Sequence, residues 1–131
     1  MSYDLCCWRP AGDSLAASQS IYEKLVEEQE VDGLSWISVA AITARFQQAL
    51  PAIEVYSTEL IWEGKDGSIQ VSWPIGSKPQ HTLGIFLNTS WGLLEDGEIV
   101  QPLLEALSDL QCVVYDPQQE MLFEEPRLWS G

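Results

Sequence analysis

Two short segments near opposite ends of the chain, YDLCCW at residues 3–8 and CVVY at 112–115, constrain the fold most. Drawn out as strands, both carry apolar side chains on both faces, because successive side chains alternate across a strand. Such strands do not suit a sheet edge or a face open to water, so both belong near the middle of a sheet. The second must also stop abruptly. Asp116 and Pro117 follow it directly, and proline supplies no ladder donor and disfavours helix at the residue before it. The Asp116 carboxylate is then placed to cap the turn.

Between these strands the period changes. SLAASQSIYEKLVEEQ sets Leu15, Ile21 and Leu25 on one helical face, with Asp13 as a candidate N-cap and Gly33 as a candidate terminator. WISVAAITARFQQALP repeats the pattern through Val39, Ile42 and Phe46 and stops at Pro51. TELIWEG and SIQVSW flank the turn GKDG, with Ile69, Val71 and Trp73 alternating against Ser68, Gln70 and Ser72, which predicts a hairpin with one wet face. HTLGIFLNTSW reads as one more strand. EDGEIVQPLLEALSDL carries a stripe of Val100, Leu103, Leu107 and Leu110, with the regular helix expected to begin at Pro102.

The expected order is β-α-α-β-β-β-α-β over a single domain, residues 1–131. It is an α+β fold with a mixed, mostly antiparallel sheet and helices packed on one face. The crossover through the third helix should be right-handed and leave the strands at 82–90 and 112–115 parallel.

Charge narrows function further. Twenty acids face six bases, a formal charge of −14. Too few cations are present to neutralise phosphates, so neither nucleic acid nor an anionic membrane surface is an expected partner. A basic protein is, since this field accelerates its approach. No apolar run reaches the ~18 residues that span a bilayer, and no signal-peptide pattern opens the chain, so a cytoplasmic location is expected. The three cysteines have no CxxC spacing and the chain has one histidine, His81, so no metal or cofactor is expected.

No catalytic motif accompanies them. Nucleophile elbow, dinucleotide and phosphate-loop patterns are all absent from the sequence. Asp4 and Asp116 are a conceivable acid–base pair, but a structural role for each suits its setting better. His81, in a loop beside Lys78, reads as a surface residue. An enzyme is not expected.

Of the six tryptophans, Trp8 and Trp73 suit core strand positions, while Trp62 and Trp91 stand among acids. Aromatics ringed by carboxylates suit an interface with a basic protein. The candidate partner-binding residues are Glu59, Trp62, Glu63, Asp66, Trp91, Glu95, Asp96 and Glu98. The acidic run Glu27, Glu28, Glu30 and Asp32 reads as a solvated helix end.

Ser2-Tyr3-Asp4-Leu5 with Trp8, together with Val113-Val114-Tyr115-Asp116-Pro117-Gln118 after a helix, resembles a group of small acidic bacterial proteins. Several of these look like immunity partners of secreted or contact-delivered toxins. The chain departs from that pattern at Cys6-Cys7 and in the acidic stretch after Gln119. The resemblance implies an α+β fold and an immunity protein that occludes a cognate toxin. An adaptor or chaperone-like module for a secreted effector is the alternative.

Overall fold

The computed structural model describes residues 2–12, 17–65, 67–74, 78–90, 93 and 97–124. Its first strand, β1 (Ser2–Trp8), is followed by α1 (Ser18–Val26), the short β2 (Ile37–Ser38) and α2 (Val39–Ala49). The edge strand β3 (Glu54–Val55) precedes the hairpin of β4 (Glu59–Gly64) and β5 (Gly67–Ser72). Then come β6 (His81–Thr82), β7 (Ile85–Ser90), α3 (Gly97–Asp109), β8 (Val113–Asp116) and β9 (Met121–Phe123).

Seven strands form one sheet in the order β3-β4-β5-β7-β1-β8-β9, and β2 pairs separately with β6. Every neighbouring pair in the large sheet is antiparallel. β7 and β8 both run opposite to β1 and so point the same way, as the crossover through α3 requires. β1 lies between them, so they share no parallel ladder. The α+β class and the mostly antiparallel sheet are as the sequence predicts.

Alternation along β1 builds two cores. Tyr3, Leu5 and Cys7 meet Ile42 and Phe46 of α2 and Val100, Leu103 and Leu107 of α3, along with Leu60, Ile69, Val71 and Leu87 of the sheet. Cys6 and Trp8 face the other way and join Val113 and Tyr115 against Ile21 and Leu25 of α1. The three buried thiols are free. α2 and α3 thus take the expected common face, whereas α1 covers the opposite one. The reason lies in the two terminal segments: strands apolar on both faces need cover on both. Tyr115 anchors that cover, with its ring 5.7 Å from Trp8 and 5.9 Å from Tyr22, and its hydroxyl bonded to Gln19 Oε1 of α1.

Several boundaries differ from expectation for local reasons. α1 ends at Val26, and Glu28 adopts φ 60°, with Gln29 N–H donating to Lys24 O at 2.9 Å. This is the left-handed helix closure usually given to glycine, and Gly33 serves a later turn instead. Trp36 to Ser38 is not helical: Ile37 pairs with Thr82, and Ser38 caps α2 by accepting from Ala41 N–H at 3.3 Å. The segment from His81 breaks in two because the Thr82 hydroxyl donates to Gly84 O at 2.8 Å and accepts its N–H at 3.2 Å. α3 begins at Gly97 and holds Pro102 inside, at the cost of one helical hydrogen bond. The candidate cap Asp13 lies outside the described residues.

The abrupt end of β8 is explained by Asp116, which is fully buried. One carboxylate oxygen accepts from the Tyr3 hydroxyl. The other accepts the backbone N–H groups of Gln118 at 3.0 Å and Gln119 at 3.2 Å, and the Gln119 amide donates back to the Tyr3 hydroxyl at 3.1 Å. The β8–β9 turn is thereby fastened to the first strand. Asp4 projects from the other face of β1, where Asn88 donates to it, so it forms no pair with Asp116.

Replacing Tyr3 with Phe leaves a buried carboxylate short of a donor and should cost about 1–3 kcal/mol by urea unfolding. Burial first, then the bond to and charge of Asp116, push the Tyr3 hydroxyl from 10.0 up to about 12. Its contribution to stability is complete below pH ~10 and is lost as pH rises toward ~12, because the unfolded chain releases the proton first. Tyr3→Phe should therefore flatten the alkaline loss of stability. An equally steep loss in the variant would contradict this.

Candidate functional site

α1 covers the sheet only over β1, β8 and part of β7. Among the described residues no helix covers the same face of β3, β4 and β5. Leu60 of β4 turns inward with Trp62, so Glu59, Ile61 and Glu63 turn outward. On β5 the inward residues are Ile69 and Val71, which leaves Ser68, Gln70 and Ser72 on the open side. Register then sets one row across five strands: Glu54 opposite Ile61, Ile61 opposite Gln70, Gln70 opposite Asn88, and Asn88 opposite Asp4. Four carboxylates, Asp4, Glu54, Glu59 and Glu63, occupy this face.

Their partners are neutral. Tyr56 donates its hydroxyl to Glu54 at 2.6 Å, Gln70 donates to Glu59, and Asn88 donates to Asp4. The ion pair among the described residues is Arg45 with Asp109, at 2.6 Å, between α2 and α3. Arg9 is committed to the carbonyls of Trp36 and Leu110, and Lys78 sits 5.9 Å over the Trp36 ring. Tyr56 registers the accumulated charge. Its hydroxyl is pushed up first by the bond to Glu54 and by that carboxylate's charge, with Glu63 and Glu59 adding to it.

A groove of about 280 Å³ opens where this face meets α1. Asp4, Asn88 and Ser72 supply its polar wall, and Phe86, Tyr22 and Val26 its apolar one. Val26 is 53% exposed although it is a large aliphatic residue. The acidic face therefore has apolar positions, Ile61, Phe86 and Val26, set among its charges.

The structure divides the residues singled out from the sequence. Glu59 and Glu63 lie on the open face. Trp62 lies on the opposite one, half-buried against the α2–α3 core, with its ring across Gly64, where it leaves no room for a Cβ. Glu98 is exposed in the first turn of α3. Asp66, Trp91, Glu95 and Asp96 lie outside the described residues. The hairpin turn is fixed against the end of β7: Ser68 N–H donates to Ser90 Oγ at 3.0 Å, and Gly67, at φ 151°, has no room for a Cβ beside Ser90. Sequence reasoning did not find Asp4, Glu54, Tyr56, Phe86 or Asn88 as parts of one surface, since only strand order joins them.

Burial pushes the Cys7 and Cys112 thiols up, Cys112 to about 12, which disfavours the reactive thiolate. His81 Nδ1 is engaged with Pro79 O at 2.9 Å. Among the described residues no group of His, Cys, Asp and Glu is placed to hold a metal ion, and no helix is long and apolar enough to cross a membrane. Comparison with known protein families, curated proteins and solved structures found no match to this chain.

Like charges gathered on one face repel, so neutralising one should stabilise the fold. Glu63→Gln is expected to add a few tenths of a kcal/mol at low salt, a gain that fades as added salt shortens the screening length to about 3 Å near 1 M. Thermal unfolding at both salt concentrations checks it. A loss of stability at low salt would mean that Glu63 supports the fold.

Proposed function

We propose that this chain is an immunity-type protein that binds a cognate toxin and neutralises it by occluding its active site. The observation that carries the reading is the open sheet face, where Asp4, Glu54, Glu59 and Glu63 lie together and, among the described residues, none of them is ion-paired. Charge that serves only solubility is best dispersed and mixed in sign. Here it is concentrated, at some cost in repulsion, on a surface that also offers Ile61, Phe86 and Val26. A basic partner relieves that repulsion and covers the apolar positions.

Occlusion follows from the same chemistry. A toxin that attacks nucleic acid or nucleotides holds its substrate's phosphates with cations, and carboxylates docked there take the place of that negative charge. The carboxylates speed encounter, and the apolar positions slow departure once water is excluded. No metal, cofactor or catalytic step enters the mechanism. A cytoplasmic site of action goes with it, since that is where such a toxin meets its substrate.

Co-expression with the protein encoded beside it tests the reading. Rescue of growth with a recoverable one-to-one complex is expected. A complex without rescue would favour an adaptor for a secreted effector, and the absence of both would overturn the proposal. In a complex so obtained, the double substitution Glu59→Lys and Glu63→Lys should slow association at least about tenfold at low ionic strength and flatten its salt dependence. Unchanged association kinetics would remove this face from the interface.

A further inference from the structure

We infer that the groove between α1 and the open sheet face is an anchor site for one arginine side chain of the partner, held at its tip by Asp4 and along its stem by Phe86, Tyr22 and Val26. The identity of the partner rests on the immunity reading, whereas the chemistry of the groove does not.

Helix α1 carries two apolar stripes where packing of the domain requires one. Ile21 and Leu25 are buried in the core beneath it. Tyr22 and Val26, each one position further on, line the groove instead, and Val26 is left more than half exposed. Across from them, Phe86 shows part of its ring rather than being fully buried. An apolar wall left open to water in this way fits an occupant that brings hydrocarbon with it.

The far wall specifies charge. Asp4 is exposed, and Asn88 donates to one of its oxygens, which holds the carboxylate in a fixed position. Its second oxygen has no partner among the described residues. Among the described residues no lysine or arginine lines the groove. An occupant with an apolar stem and a cationic tip matches both walls, as long basic side chains do when they lie along apolar surface. Arginine suits it better than lysine, since a planar guanidinium stacks on the aromatic rings while it donates to the carboxylate. The 280 Å³ volume is small for a separate drug-sized ligand and sufficient for one side chain. The Asp4–Asn88 bond is made before the partner arrives, so little is spent on ordering it.

The test needs no partner. The isotopically labelled protein is titrated at low salt with acetyl-Gly-Arg-Gly-amide and followed by amide chemical shifts. Two control peptides carry citrulline or norleucine in place of arginine. Saturable shifts centred on Asp4, Tyr22, Phe86 and Asn88 are expected, with an affinity in the millimolar range. The citrulline peptide and the Asp4→Asn protein should each bind about tenfold more weakly, in keeping with a lost charge-assisted hydrogen bond. Val26→Arg, at an exposed position, should fill the groove from its own helix and abolish binding without unfolding the protein. Shifts spread evenly over all the acidic residues, equal binding of citrulline or norleucine, or undiminished binding to Val26→Arg would each overturn the inference. Arginine binding in a protein that gives no rescue and no complex would uphold the groove and retire the immunity reading. Rescue without arginine binding would retire the groove alone.

Discussion

The pairing of the first strand with the last long one is the constraint from which the rest of the structure follows. β1 and β8 meet in register from Cys6 opposite Tyr115 to Trp8 opposite Val113. Both strands are apolar on both faces, so the sheet has to be covered twice at this point. α2 and α3 provide one cover and α1 the other. The buried Asp116 carboxylate then fastens the turn after β8 to Tyr3, which ties the two ends of the chain together through hydrogen bonds that water cannot easily replace.

The uneven size of the two covers produces the open surface. Two helices of 11 and 13 residues shield one face, and a single helix of 9 residues shields the other. A nine-residue helix is about 14 Å long and about 10–12 Å across with its side chains, in either direction less than the roughly 29 Å width of a seven-stranded sheet at ~4.8 Å per strand step. α1 spans the strands that need cover most and leaves β3, β4 and β5 wet on that side. Their outward residues are accordingly Glu, Ser and Gln with Ile61 among them, and strand register converts those separate positions into one acidic face with a groove at its border.

The sequence carried the parts of this that depend on local period. The hairpin of β4 and β5, the helical stripes through Ile42 and Phe46 and through Leu103 and Leu107, and the central place of YDLCCW and CVVY were legible because neighbouring residues determine them. The side on which α1 lies was implicit in Cys6 and Trp8 but needed the pairing with Val113 and Tyr115 to become explicit. The candidate site was legible only in part. Glu59 and Glu63 stand out in sequence, and so does Trp62, yet alternation sends Trp62 to the opposite face. Asp4 and Asn88 are 84 residues apart and become neighbours only through the order of strands in the sheet. Glu54 belongs to a strand of two residues, too short to leave a periodic signal.

The central claim is that the acidic sheet face is the surface a basic partner covers, and carboxylate footprinting measures it most directly. The free protein and the complex recovered from co-expression are treated with a water-soluble carbodiimide and a small amine, and modification of each acid is read by mass spectrometry. The account predicts that Asp4, Glu54, Glu59 and Glu63 lose labelling in the complex while Glu27, Glu28 and Glu30, beyond the end of α1, label as before. Equal labelling of the four face carboxylates in both states, with protection elsewhere, would contradict it.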